Sequence, residues 1–217
     1  MQKKQEEDKD GGDKRISASQ LSLIAPLTAL FTASGVAGLV YQVSWQRVLF
    51  AAFGSDIESV SLIVSAFMLG LGLGALGGGR LADRFPGNEL KLFALCEAGI
   101  GLFGLVSVPL LRGAGDAFVQ SPLWVVGLVN FLIVLVPTVL MGGTLPILIA
   151  GVARLWGHVG EATGHLYAAN TVGAAGGAIA SGFLLFQHIE LPLAVRLTAG
   201  VNLLVAVFAL GWLRRMK

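Results

Sequence analysis

Charge is scarce in this chain. Asp, Glu, Lys and Arg make up 13% of its 217 residues, about half the share found in ordinary soluble domains. Hydrophobic residues reach 55% and the mean hydropathy is +0.78, a balance that excludes a water-soluble globular domain. The net charge of +2 is small and the basic residues lie scattered between apolar runs, which excludes a nucleic-acid surface. Cys96 is the one cysteine, so there is no intrachain disulfide and no cysteine-built zinc site. Histidine is nearly as rare. His158 and His165 share a loop with Glu161, but a further strong ligand is missing, so no metal is expected. P-loop, His-Glu-x-x-His and Gly-x-Ser-x-Gly patterns are all absent. Gly72-x-Gly74-x-x-Gly77 has the spelling of a dinucleotide-binding turn but ends an apolar run instead of following a strand, so no cofactor is expected. With no catalytic constellation visible, the residues read as those of a non-enzyme.

Glycine and long apolar runs are abundant. Six runs, roughly 21–45, 57–79, 90–111, 123–153, 164–186 and 192–213, each approach or exceed the about 20 residues that span a bilayer. They predict an all-α integral membrane protein of six transmembrane helices over 20–217. Residues 1–19 carry mixed charges and no apolar periodicity, and read as a disordered cytoplasmic tail. Six spans place both termini on one side. With the termini inside, twelve lysines and arginines lie on that side against Arg47, Arg112 and Arg196 outside, the asymmetry of a multi-pass protein with cytoplasmic ends.

Ala66, Gly70, Gly74 and Gly78 recur every fourth residue, so one face of the second helix lets another backbone approach closely. The fourth run is too long: 31 residues reach about 46 Å against a hydrocarbon core of about 30 Å. Pro137, Gly142-Gly143 and Pro146 inside it predict a kink or a helix continuing beyond the bilayer; an unwound segment there would line a binding site.

Ionisable and amide groups within spans are the candidates for function. Glu97 lies seven residues into the third span, where an unpaired carboxylate costs about 2–3 kcal/mol or more, so it should face the bundle interior. Gly101 and Gly104 leave space beside it. Either it contacts a cationic solute or it is a structural carboxylate paired with its surroundings. Ser34, Gly38, Gln42 and Gln46 form a polar ridge on the first span, with Trp45 and Arg47 near its outer end; Tyr41, Trp45 and Arg47 read as interfacial anchors. Tyr167 and Asn170 on the fifth span and Asn130 on the fourth complete the candidate solute pathway, with interhelical hydrogen bonding as the structural alternative.

Gly79-x-Leu81-Ala82-Asp83-Arg84 resembles the signature loop between helices 2 and 3 of major facilitator transporters, although Pro86 stands where that pattern has glycine and Asn88-Glu89 replace its basic pair. The resemblance implies a fold similar to one half of such a transporter, with Gly79, Asp83 and Arg84 as a loop latch. Ser34 to Arg47, Ala66 to Gly74, Pro137 to Pro146 and Leu166 to Ala174 together resemble the membrane region of bacterial spermidine-synthase-like membrane proteins, in which a transporter-like domain is fused to an aminopropyltransferase domain. That resemblance implies a protein of the bacterial inner membrane, without the fused catalytic domain. It implies either a transporter-like protein that binds or moves a small cationic solute such as a polyamine, or a non-catalytic anchor docking a separate aminopropyltransferase-like partner. Half a transporter further implies a homo-oligomer or a subunit of a larger assembly.

Overall fold

The computed structural model describes the backbone of residues 18–54, 56–156 and 159–215 and the side chains of 25–54, 57–154 and 159–212. The tail expected over 1–19 falls outside these residues, except that Ala18 and Ser19 begin the first helix. Every regular element among the described residues is helical. Helix α1 is Ala18–Phe53, α2 Asp56–Arg84, α3 Glu89–Ala117, α4 Leu123–Trp156, α5 Val159–Ala180 and α6 Leu191–Arg215. A π-helical turn, Ser181–Leu185, and a last α-turn, Phe186–His188, prolong α5. Six of these helical stretches are long and apolar enough to cross a membrane.

The helices overrun the apolar stretches because backbone hydrogen bonding continues after hydrophobicity stops, as at Arg80, Asp83 and Arg84 in α2. Glycine ends two of them where the backbone turns left-handed: Gly54 (φ +71°) after α1 and Gly87 (φ +81°) in the loop before α3. The break expected in α4 does not occur. Its helix is continuous through Pro137, Gly142-Gly143 and Pro146, so no unwound backbone is available for a ligand. Packing holds the segment together. The Thr138 hydroxyl donates to the carbonyls of Val134 (3.1 Å) and Leu135 (2.9 Å) within α4 and approaches that of Ala66 in α2 (3.3 Å).

α2 packs most extensively on α4, α1 on α5, and α3 on α6. Exchanging the first three helices for the last three maps the α2–α4 pair onto the α5–α1 pair. Both pairs bring backbone against backbone. A methyl group on Gly70 would strike Thr138, one on Gly74 the Val139 carbonyl, and one on Gly78 the backbone of Gly143. On the other side, methyl groups on Gly173 and Gly177 would strike the carbonyls of Thr32 and Val36, and one on Gly35 the carbonyl of Asn170.

Two apolar clusters fill the bundle. One gathers Phe31, Phe93, Ile147, Leu148 and Leu166 toward the end carrying the α2–α3 loop; the other gathers Tyr41, Trp45, Ile63, Phe67, Ile100 and Val134 toward the opposite end. Ser34, Glu97 and Asn202 fall between them along α1, α3 and α6.

Gly74→Leu should therefore destabilise the fold, since neither the Val139 carbonyl nor Gly142 can yield without separating α2 from α4. Overpacking of this kind costs about 1–3 kcal/mol or more. A thermal melt in detergent should show the loss for Gly74→Leu and little change for Gly77→Ala, where an added methyl meets nothing within 4 Å. Equal melting of the two variants would refute the seam.

Candidate functional site: a groove backed by a buried carboxyl group

A groove of about 810 Å³ opens between α1, α2, α4 and α5. Phe31, Leu39, Phe67, Met68, Leu71, Met141, Leu145 and Ile149 give it apolar walls, and Ser34, Gln42, Thr144, Tyr167 and Asn170 a polar strip. Gly79, Asp83 and Arg154 line it at the end near the α2–α3 loop. Small residues make the space. Gly35 and Gly38 on α1 and Gly142 on α4 carry no side chain into it, and the glycine seams fix how far α2 and α5 stand from the floor.

Of the sequence-derived pathway residues, the structure brings Gln42, Tyr167 and Asn170 together on the groove wall and puts Glu97 just behind it. Glu97 is fully buried. The Ser34 hydroxyl donates to its Oε1 and the Asn202 amide to its Oε2, both at 2.6 Å. Short hydrogen bonds of this kind offset part of the cost of removing a carboxyl group from water. They also tie α1, α3 and α6 at one level. Ser34 is both a groove-wall residue and a donor to Glu97, so one hydroxyl separates the carboxyl group from the groove. In the sequence Asn202 is only an amide in an apolar run; its pairing across 105 positions has no local signature.

Several expectations are corrected by the geometry. The space expected beside Glu97 is filled, because Tyr41 packs against Gly104 and Leu203 against Gly101. Tyr41 and Trp45 are not interfacial anchors: both are completely buried and stack at 4.9 Å, and the Trp45 indole donates to Ser107 at 3.0 Å. Arg47 is exposed and lies 4.3 Å from the centre of the Phe186 ring, joining the end of α1 to the end of α5. Asn130 does not reach the groove. It is buried about three turns before Met141, the first groove-lining residue of α4, and its amide donates to the Val126 carbonyl of its own helix at 2.9 Å.

The loop residues separate. Asp83 and Gly79 face the groove, while Arg84 is exposed. A different pair of charges joins the loop to the bundle: Arg154 in the last turn of α4 donates to Glu89 at the start of α3. Glu89 also accepts from the Gly87 backbone N–H at 3.0 Å, and Lys91 donates to the Asn88 side chain at 2.9 Å. The sequence held a signal for this clasp, an acid opening one helix and a base closing another, each favourable to its helix dipole. His165, from the loop considered for a metal, instead shares a 2.9 Å hydrogen bond with Thr28. His158 lies outside the described residues, and no group of three or more metal-ligating side chains occurs among those described.

Asn202→Ala should leave one Glu97 oxygen without its donor in a dry interior. Loss of a hydrogen bond to a charged or strongly polar group costs about 1.5–3 kcal/mol. In thermal or denaturant unfolding, the double variant Glu97→Leu/Asn202→Ala should lose less than the sum of the two single variants, because the orphaned group is gone. Strict additivity would show that the pair is not coupled.

No family model and no solved structure matches the chain. Curated proteins do. The chain is 30% identical over 187 residues to polyamine aminopropyltransferase 2 of Streptomyces coelicolor, covering 82% of this chain and 32% of that protein. It is 30% identical over 177 residues to polyamine aminopropyltransferase of Corynebacterium efficiens, with 79% and 32% covered. For the protein of that name from Mycobacterium tuberculosis, identity is 29% over 192 residues, with 84% and 34% covered. The chain spans about a third of the length of these relatives. Their names are those of enzymes, which overturns the non-enzyme expectation: the missing catalytic constellation speaks only for the matched third. A spermidine-synthase-like relation is thus supported for most of this chain by several relatives named for polyamine aminopropyl transfer.

Proposed function

We propose that this chain is a transporter-like membrane module of the bacterial inner membrane that binds a small amine-bearing solute of the polyamine class in the groove. It works beside an aminopropyltransferase-like catalytic region. The observation that carries this reading is the position of Ser34, which faces the groove and hydrogen-bonds to Glu97. Rotation of one hydroxyl presents a carboxylate to an ammonium group entering the groove. Gln42, Tyr167 and Asn170 supply neutral polar contacts, and Phe31, Leu39, Phe67 and Leu71 pack the methylene segments that separate the nitrogens of a polyamine. Asp83 offers a second carboxylate near the α2–α3 loop. The names of the relatives support the solute class.

In this reading the six helices span the membrane, and the glycine seams of α2 and α5 serve as close-packing faces in lipid. The pairing of α2 with α4 and of α5 with α1 is consistent with one half of a major facilitator-like transporter. The basic excess near Arg80, Arg84, Lys91 and Arg154 supports an orientation with the Asp83 end of the groove and both termini in the cytoplasm.

Binding of radiolabelled spermidine to the protein in nanodiscs tests the solute. Glu97→Gln keeps the shape of the carboxyl group and should weaken binding by about tenfold or more, or 1.4 kcal/mol, without unfolding the bundle. Unchanged affinity, or no binding by either protein, would overturn the assignment. Orientation has its own test. In a Cys96→Ser background, Asn88→Cys should react with a membrane-impermeant maleimide only after the membrane is opened, and Ala117→Cys in intact cells. The reverse pattern would place the termini outside.

A further inference from the structure

Two carboxyl groups bear on the groove, Glu97 from behind its floor and Asp83 from its wall. Backbone contacts fix how far apart they stand. On α3, Gly99 meets Leu140 and Glu89 meets Gly151, so α3 runs antiparallel to α4 and Glu97 stands level with Gly142 and Gly143. On α2, Gly74 meets Gly142 and Gly78 meets Gly143, so α2 runs parallel to α4. Asp83, next to the end of α2, therefore stands level with the stretch from Leu148 to Gly151. The step from Glu97 to Asp83 is six to nine residues of α4, about 9–14 Å of rise, with an offset across the groove in addition. Phe31, Leu145 and Ile149 wall this interval with apolar surface, and Tyr167 stands over it, one turn nearer the α2–α3 loop than Asn170. The two acids at the loop end differ. Glu89 is engaged by Arg154 and by the Gly87 backbone N–H, whereas Asp83 has no hydrogen-bond or ion-pair partner among the described residues. Arg154 also reaches the groove, but its guanidinium is held on Glu89.

We propose that Glu97 and Asp83 measure the length of the amine: one terminal ammonium stands in front of Ser34 and Glu97 and the other on Asp83, so the groove selects a triamine over a four-carbon diamine. Bonds of about 1.5 Å in a staggered chain set the two lengths, about 6 Å between the nitrogens of the diamine and about 11 Å between the outer nitrogens of a triamine with propylene and butylene spacers. Because Glu97 lies behind the floor, an ammonium approaches it across the groove and gains no reach along it. A diamine held there stops short of Asp83, and its second ammonium rests against Phe31 and Ile149, which offer no acceptor. In a triamine the methylenes lie along those walls, the inner nitrogen passes Tyr167, and both ends are paired. Adding one aminopropyl unit to the diamine converts the short molecule into the long one. The groove thus takes the product of an aminopropyl transfer in preference to its acceptor. The inference rests on the proposed amine site and deepens it, with Asp83 as the residue that determines specificity.

The test is equilibrium binding of radiolabelled spermidine to the protein in nanodiscs, with unlabelled amines as competitors. Spermidine should bind about tenfold tighter than the four-carbon diamine putrescine. Asp83→Asn should weaken spermidine about tenfold and leave putrescine unchanged, so that the two amines converge. Asp83 is exposed near the end of its helix, and the melting temperature of this variant should match that of the wild type. Asp83→Glu keeps the charge and should keep the preference. Spermidine acetylated on one terminal nitrogen keeps the length but loses a charge, and should bind like putrescine. Equal affinity of the wild type for the two amines, a preference that survives Asp83→Asn, or acetylspermidine binding as tightly as spermidine would each overturn the length selection while leaving the amine site in place. Absence of binding by every amine, or spermidine affinity indifferent to Glu97→Gln, would instead remove the site itself and the inference with it.

Discussion

The close approach of α2 to α4 and of α1 to α5 is the constraint on which the remaining geometry depends. Both contacts bring backbone close to backbone, Gly74 against the Val139 carbonyl and Gly173 against that of Thr32. Backbone cannot change rotamer to relieve a clash, so these contacts set helix separation more rigidly than interdigitated leucines would. They fix the groove as well. The residues of α2 that line it, Met68, Leu71, Ala75 and Gly79, lie beside the seam residues Gly70, Gly74 and Gly78 on the same helix, so a shift at the seam carries the wall with it.

The carboxyl group of Glu97 imposes a second constraint of a different kind. Dispersion packing along a glycine seam tolerates sliding by a turn, but a buried carboxyl with donors from α1 and α6 does not, because a slip of one residue would withdraw Ser34 or Asn202. This polar layer lies between the two apolar clusters and registers three helices against one another. Its exposure to the groove is limited to the Ser34 hydroxyl. In the proposed reading, structural and solute-binding roles fall on the same atoms, and a solute that takes over the Ser34 position exchanges one hydrogen bond of Glu97 for another and leaves no carboxyl oxygen bare.

Much of the fold was legible in the sequence because its signals are local. Six apolar runs of spanning length became six helices, and the low share of charge excluded a soluble fold before any residue was placed. The site was legible in part. Gln42, Tyr167 and Asn170 could be named because an amide or phenol in an apolar helix stands out; that they share one groove with Asp83 depends on how four helices pack. The errors come from the same source. Tyr41 and Trp45 lie near the end of the first apolar run, where aromatic residues commonly mark an interface; their burial follows from Gly104 and Ser107 on α3. Gly101 and Gly104 looked like empty space beside Glu97 for want of any view of Leu203 and Tyr41. Proline and glycine in α4 suggested a break, but an adjacent helix can hold such a segment as firmly as its own missing hydrogen bond would.

The symmetry of the two tight pairs bears on what a chain of this size can do. If the first three helices and the last three are equivalent in packing, the groove lies between equivalent flanks, α2 and α5, and its polar strip draws on α1 from the first set and on α4 and α5 from the second. Neither flank contributes to the layer at Glu97, since α3 and α6 lie behind the floor and carry two of its three members. The groove's flanks and its polar registration thereby fall to different helices. The Arg154–Glu89 clasp joins α4 to α3 at one end only, and Arg47 over Phe186 joins α1 to α5 at the other. The flanks themselves are held along their length by the glycine seams, α2 on α4 and α5 on α1, so the two charged contacts fix helix ends and the seams fix helix separation.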